Sequence, residues 1–131
     1  MTFERLRDHA LAKPETTEDF PFDEHTLVFR VRRKMFALIG LERRPLAVNL
    51  KCDPELAAEL RARYEAVQPG YHMNKRHWNT VTLNAGLPDQ DLLKLLDHSY
   101  DLVAASLKRA DRDAVQTAGW APVPVSVDDF E

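Results

Sequence analysis

One cysteine, Cys52, in 131 residues excludes an intramolecular disulfide framework and a cysteine-rich zinc site. It fits a reducing, cytoplasmic setting. No apolar run approaches the roughly 20 residues that a membrane-spanning helix requires. The opening segment, Phe3 to Ala12, is studded with Arg and Asp, unlike the apolar centre of a signal peptide. Positive charge is short as well: 18 Lys and Arg against 21 Asp and Glu leave a formal net charge of -3. A protein that holds nucleic acid through bulk attraction is normally basic, so such a role here must rest on a local patch. Glycine-rich phosphate loops, the paired-histidine metalloprotease motif and the nucleophile elbow are all missing. No carboxylate pair occurs in a recognisable setting. The expectation is a protein that is not an enzyme and carries no cofactor.

What is present is enough for a core. The hydrophobic share is 44 %, which suits one compact domain of ordinary size. Phe3, Leu6 and Ala10 recur at helical spacing, so Thr2 to Ala12 reads as a short amphipathic helix ended by Pro14. Thr16 to Glu24 reads as an acidic extended connection whose Phe20-Pro21-Phe22 aromatics tuck under the sheet. Leu27 to Leu41 reads as a β-hairpin. A two-residue turn at Arg33-Lys34 sets Arg32 opposite Met35, Arg30 opposite Ala37 and Val28 opposite Ile39, with Phe29, Val31, Phe36 and Leu38 on the buried face. That turn lacks the Gly or Asn that two-residue hairpins favour.

Leu46, Val48 and Leu50 alternate with Ala47, Asn49 and Lys51 as a third strand. Asp53-Pro54-Glu55 is a strong helix start, with a capping acceptor, a proline at the first position and an early negative charge. That helix runs to about Tyr64 and buries Leu56 and Leu60. After the Pro69-Gly70 turn, Tyr71 to Lys75 and Trp78 to Leu83 read as two strands joined near Arg76-His77. Asp89 caps the longest helix, about Gln90 to Arg109, with Leu92, Leu96, Tyr100, Val103 and Leu107 as its apolar stripe. The expected fold is α+β: a two-layer domain with an antiparallel sheet and helices on one face, in the order α-β-β-β-α-β-β-α. One domain spans 1–110. Residues 111–131 form a tail, either draped over the domain or disordered.

Five stretches carry a family likeness: Phe20-Pro21-Phe22, Lys34-Met35-Phe36-Ala37, Lys51-Cys52-Asp53-Pro54-Glu55, His72-Met73-Asn74-Lys75-Arg76-His77-Trp78-Asn79-Thr80-Val81 and Ser99-Tyr100-Asp101-Leu102-Val103. With the element order, they resemble the MmcQ/YjbR family over about Thr2 to Lys108. The Asn-Lys-x-His-Trp-Asn core is the most specific of them, and the tail from Asp111 lies outside the likeness. The family often carries glycines in the hairpin before Lys34, where this chain has Arg32-Arg33. The resemblance implies a CyaY-like or secretion-chaperone-like fold and a DNA-binding label that is itself an inference from fold.

The densest functional stretch is His72 to Leu83. Strand parity sends Val81 and Leu83 into the core and leaves Trp78, Thr80 and Thr82 on the other face, together with Arg30, Arg32, Ala47, Asn49 and Lys51. A basic sheet face bearing an aromatic ring is a way to hold single strands. The candidate nucleic-acid contacts are Arg30, Arg32, Arg33, Lys34, Lys75, Arg76, His77, Trp78 and Asn79. Lys and Arg meet phosphates, Trp78 stacks, and Asn79 offers its amide to a base or backbone. The plainer account makes Trp78 a cap on the core and the cations a solvated sheet edge. DNA or another nucleic acid is the expected partner. The alternative is a protein-interaction or chaperone-like module, with a protein partner or a second copy of the chain; no membrane is expected.

A competing reading lays Trp120, Val123, Val125 and Val127 across that same face to bury Trp78, Ile39 and Val28, with the acidic end Asp128-Asp129-Phe130-Glu131 neutralising the basic cluster. Cys52 precedes a helix start that could lower a thiol pKa, but nothing in the spacing brings His72 or His77 to it as a base, and packing is the plainer role. No metal site is expected. His72 and His77 point to opposite sides of an extended chain, and Glu15, Glu18, Asp19, Asp23 and Glu24 read as a solvated acidic loop.

Overall fold

The computed structural model describes residues 1–130, so Glu131 of the acidic end lies outside the described residues. Its elements run α1 (Phe3–Leu11), β1 (Thr16–Asp19), β2 (Thr26–Val31), β3 (Lys34–Gly40), β4 (Ala47–Lys51), α2 (Pro54–Arg63), β5 (Val67–Pro69), β6 (Trp78–Thr82), α3 (Asp89–Ala105) and α4 (Arg109–Thr117), with a short 3-10 turn at Val127–Asp129. The strands form one antiparallel sheet in the order β1-β2-β3-β4-β6-β5. The α+β expectation holds.

The helix starts follow their caps. Thr2 Oγ1 accepts the Arg5 N–H at 3.1 Å, and the Asp53 carboxylate accepts the Glu55 and Leu56 N–H groups, both at 3.1 Å. Each satisfies donors that a first helical turn leaves without partners. Asp89 opens α3 from inside the helix; the capping position is Pro88, which has no side-chain acceptor. Freed from capping, the Asp89 carboxylate pairs with Arg5 at 3.0 Å.

Sheet parity divides the side chains. Leu27, Phe29, Ala37, Ile39, Val48, Leu50, Val67 and Val81 join Leu6, Ala10, Leu56, Leu60, Leu96, Tyr100 and Val103 in the core under the helices. Val28 lies opposite Leu38, and Asn49 opposite Thr80, on the other face.

The hairpin differs from its expected register. Val31 pairs with Lys34, Arg30 with Met35, Phe29 with Ala37, Val28 with Leu38 and Leu27 with Ile39. The turn is therefore Arg32-Arg33, at φ 46° and 79°, the left-handed pair that a type I′ hairpin turn demands. The register steps between Phe29 and Arg30, leaving Phe36 as the extra residue of a β-bulge. Past the bulge, Ala37 and Ile39 turn to the core and Leu38 to the opposite face, where the earlier parity had placed them the other way round.

Ser99 of α3 resolves the bulge. Its hydroxyl donates to the Phe36 carbonyl at 2.5 Å and accepts the Lys51 N–H at 2.8 Å, serving two backbone groups where β3 and β4 part. Phe36 meets Tyr100 edge-on at 5.2 Å between ring centroids, and the Tyr100 hydroxyl donates to the Pro14 carbonyl.

The structure differs from the sequence reading at two segments, the connection expected at Thr16 to Glu24 and the strand expected at Tyr71 to Lys75. Thr16–Asp19 is the edge strand β1, paired from Thr16 opposite Val31 to Asp19 opposite Val28. Strand β5 is Val67–Pro69, while Tyr71 to Lys75 belongs to the loop before β6.

From Arg109 the chain forms α4 and then crosses the helix layer. Trp120 Nε1–H and the Val123 N–H donate to the two oxygens of Asp101 at 2.9 and 3.0 Å. The Phe130 carbonyl accepts from Arg63 at 2.8 Å, and that of Asp129 from Lys94 at 3.0 Å. Trp120 and Phe130 are both buried in the core. The segment thus packs on α2 and α3, and the outer face bearing Trp78 and Val28 is left without it. Ile39 is buried beneath the helices instead.

Candidate nucleic-acid interface

The predicted patch resolves into two places at one end of the sheet. The β2–β3 tip carries Arg30, Arg32, Arg33 and Lys34; the turn before β6 carries Lys75, Arg76 and His77. Strands β4 and β6 lie beyond β3, and neighbouring strands are about 4.8 Å apart, so the two places are separated by roughly 10–15 Å.

At the tip most charges have partners. Arg30 Nε donates to Asp19 at 3.1 Å, and its Nη1 donates to the Arg33 carbonyl at 2.7 Å. Arg32 donates through Nε and Nη2 to one oxygen of Asp111 at 3.2 and 2.8 Å, with Glu15 at 3.9 Å. This contact raises the guanidinium pKa and lowers that of the Asp111 carboxyl. Lys34 Nζ donates to the Ser106 carbonyl at 3.1 Å, at the end of α3, where a cation complements the helix dipole. Arg33 is exposed, and its guanidinium has no partner among the described residues.

In the second place the specific motif builds the loop. The Asn74 side chain accepts the Arg76 N–H at 3.0 Å, and its carbonyl accepts from Trp78 at 2.9 Å. Lys75 Nζ donates to the Gly70 carbonyl at 3.0 Å. Asn79 is only 2 % exposed, and its Oδ1 accepts from Arg61 Nε at 2.7 Å. The same parity that sets Trp78 and Thr80 on the helix-free face turns Asn79 toward the helices, away from that face. Arg61 then donates onward to the carbonyls of Lys75 and Trp78. Gly70 lies against Trp78 so closely that a Cβ would stand 2.8 Å from that of Trp78. Arg76 remains exposed, with no partner for its guanidinium among the described residues. His77 is half-buried, and its carbonyl accepts the Cys52 N–H at 2.7 Å. Trp78 is half-buried opposite Lys51.

Between this loop and the opposite margin, the helix-free face holds a groove of about 490 Å³ that the sequence reading did not find. Leu38, Ala47, Asn49 and Met73 line it, with Arg43 toward the β3–β4 loop. Phe22 and Tyr71 stand at its sides, each 62 % exposed. The expectation that Phe20 and Phe22 tuck under the sheet fails because Asp23 ends that segment in a tight turn, accepting the His25 and Thr26 N–H groups at 2.8 and 2.7 Å. Those bonds also lower the Asp23 pKa. His72, at φ 58°, stacks obliquely on Tyr71 with 4.0 Å between ring centroids. The available signals were Phe22 and Tyr71, aromatics beside turn residues, together with the outward parity of Asn49.

Cys52 is 3 % exposed, and burial, reinforced by Asp53, pushes its thiol up to about 12. The helix start gives no activation that survives this desolvation. The Asp53 N–H donates to His98 Nε2 at 3.1 Å, and burial lowers the His98 pKa. Among the described residues no three His, Cys, Asp or Glu side chains gather as a metal site, and no helix is long and apolar enough to cross a membrane.

Comparison with known proteins agrees with this architecture. The YjbR family model matches residues 11–102. YjbR of Escherichia coli K12 is 40 % identical over 101 residues, covering 76 % of this chain and 85 % of that protein. YyaQ of Bacillus subtilis is 30 % identical over 116 residues, covering 78 % and 98 %. Both relatives are described as uncharacterised. The crystal structure of Deinococcus radiodurans protein DR2400 superposes with a TM-score of 0.81 at 40 % identity, covering 88 % of each chain. A Pseudomonas syringae protein superposes with a TM-score of 0.67 at 32 % identity, covering 79 % and 99 %. The chain belongs to the YjbR family.

Proposed function

We propose that the protein is a non-enzymatic binding module that receives single-stranded nucleic acid on its helix-free sheet face. The observation that carries this reading is the pair of exposed rings, Phe22 and Tyr71, on either side of the groove. Bases stack on such rings whatever their sequence. Arg43 at one end and Lys51 and Arg76 toward the other are the cations for phosphates, with Trp78 as a further stacking surface and Arg33 at the flank. Arg30, Arg32 and Lys34 hold the tip in shape, and Lys75 and Asn79 hold the loop. The assignment to a CyaY-like fold and a cytoplasmic location belong to the same reading, the latter supported by a single buried thiol.

With about three phosphate contacts, log K should fall against log salt with a slope near -2. Fluorescence anisotropy of labelled single-stranded and duplex DNA at low and moderate salt tests this. Binding that weakens with salt, and that falls in Tyr71→Ala and in Arg43→Ala/Arg76→Ala, supports the proposal. No binding at low salt overturns it. The apolar floor of Leu38, Ala47 and Met73 favours a second reading, an extended peptide from a protein partner, whose capture would be nearly indifferent to salt.

A further inference from the structure

We infer that the groove is a pocket for one nucleotide base, and that Asn49 selects bases bearing a ring carbonyl over adenine. This rests on the nucleic-acid reading above and adds a specificity to it. The argument begins with a proton. Thr80 is buried, and its Oγ1 accepts the Tyr71 N–H at 2.9 Å. Having accepted there, the hydroxyl must place its own hydrogen on an acceptor, and Asn49 Oδ1 lies 2.5 Å away. Turning the Asn49 amide over would set its NH2 against Thr80 and leave the hydroxyl hydrogen with no acceptor. The amide is therefore fixed with oxygen toward Thr80, and its NH2, which has no partner among the described residues, is the polar group left for the groove.

The other polar side chains in the lining are Thr26, Arg43, Tyr71 and His72. The Thr26 hydroxyl spends its hydrogen on Asp23 at 3.3 Å, and Tyr71 and His72 can each donate or accept. The Arg43 guanidinium has no partner among the described residues and offers only donors. A groove with a donor in its floor, a cation at its end and aromatic rings at its sides complements a flat, acceptor-edged, anionic molecule. A nucleotide has that form: its face lies along Tyr71, its carbonyl meets the Asn49 NH2, and its phosphate meets Arg43. Adenine has acceptor ring nitrogens but no ring carbonyl, and its usual pairing with an asparagine is bidentate and needs the Oδ1 that Thr80 already holds, so it fits least well. The volume of about 490 Å³ suits a small ligand.

The relay explains why the Tyr71 loop and the sheet act together. The same Thr80 hydroxyl that orients Asn49 anchors the backbone of the residue supplying the stacking ring. Thr80 is a positioning residue and does not touch the base.

The test is a titration of the full chain, followed by amide NMR, with uridine 5′-monophosphate, adenosine 5′-monophosphate and inorganic phosphate. Uridine monophosphate should move the Asn49 side-chain NH2 pair and the Tyr71–Met73 backbone signals. Adenosine monophosphate should bind roughly tenfold more weakly, the worth of one hydrogen bond, and phosphate alone should move only signals near Arg43. Asn49→Leu, judged folded by its spectrum, should abolish the uridine preference. Thr80→Val should reduce it by releasing the amide. Equal binding of the two nucleotides, shifts confined to another surface, or an unchanged preference in Asn49→Leu overturns the inference. Oligo-dT and oligo-dA anisotropy separates this from the broader reading. If both oligonucleotides bind alike with steep salt dependence, the nucleic-acid reading stands and the base pocket falls. If uridine monophosphate binds as described and neither oligonucleotide does, the pocket stands and the nucleic-acid reading falls.

Discussion

Replacing Ser99 by Ala removes one oxygen and strands two backbone groups. The hydroxyl is the partner of the Phe36 carbonyl and of the Lys51 N–H, and Ser99 is fully buried. A buried group left without its hydrogen bond costs about 1–3 kcal/mol. Because Lys51 is half-buried and its amide recovers part of its loss, the sum is about 2–4 kcal/mol. The space vacated by one oxygen is too small to admit a water that would repair both. Taking about 2.1 cal/mol/K per residue as the unfolding entropy, a 131-residue chain should lose about 7–15 °C in melting temperature. In urea the midpoint should fall while the slope stays constant. Ser106→Ala, on the exposed end of the same helix, should change stability by less than about 0.5 kcal/mol. A Ser99→Ala loss as small as that of Ser106→Ala would refute the claim that this hydroxyl sustains the bulge.

Arg33→Gly should raise stability by about 1 kcal/mol, since φ is 79° there and the guanidinium has no partner to lose; urea denaturation reads it, and a loss would mean that the turn is not left-handed at Arg33. Cys52 should resist aromatic disulfide reagents at pH 8 in the native protein and react fully in denaturant, because its thiol is buried and its pKa is raised to about 12; stoichiometric native labelling within minutes would contradict the packing. The melting temperature should decline as pH falls below about 6.5. Burial lowers the His98 pKa in the fold, so below that pH the unfolded chain takes up a proton that the folded ring resists, and stability falls until the folded ring protonates as well. His98→Gln should flatten this slope between pH 7 and 5, and an unchanged slope would assign it to other groups.

Periodicity was sufficient wherever one face of an element was buried. Leu6 and Ala10 in α1, Val48 and Leu50 in β4, and the Asp53-Pro54-Glu55 start of α2 could be read directly, because each is decided by local sequence and one apolar face. Strand β1 could not. Thr-Thr-Glu-Asp has no apolar alternation, and the segment is a strand only because β2 offers it an edge. The hairpin register differed because the turn is Arg32-Arg33, one residue earlier, and the parity beyond Met35 was inverted because Phe36 is an extra residue that breaks the period of two. Its signal is Ser99, 63 positions away, and no window along the chain contains both. The helix cover by Trp120 and Phe130 depends on Asp101, Arg63 and Lys94 in the same long-range sense.

The site was legible in a different and less direct way. The Asn-Lys-x-His-Trp-Asn stretch looked functional because its side chains are rich in donors and acceptors, yet most of them are consumed within the fold. Asn74 closes the turn, Lys75 reaches Gly70, and Asn79 orients Arg61, which in turn holds the carbonyls of Lys75 and Trp78. The free guanidinium belongs to Arg76, at the position where the pattern admits any residue. The proposed phosphate contact through Arg76 therefore rests on a residue the pattern does not specify, and the specific part of the pattern has another consequence. By fixing Gly70 against Trp78 and the loop beneath it, the motif sets where Tyr71 and His72 emerge over the sheet, and the Tyr71 N–H completes the relay through Thr80 to Asn49. Loss of the Arg61–Asn79 contact, as in Asn79→Ala, should therefore disturb ligand binding at a groove that Asn79 never touches. Loss of Arg76 should lower affinity for a phosphate backbone while leaving the choice of base intact.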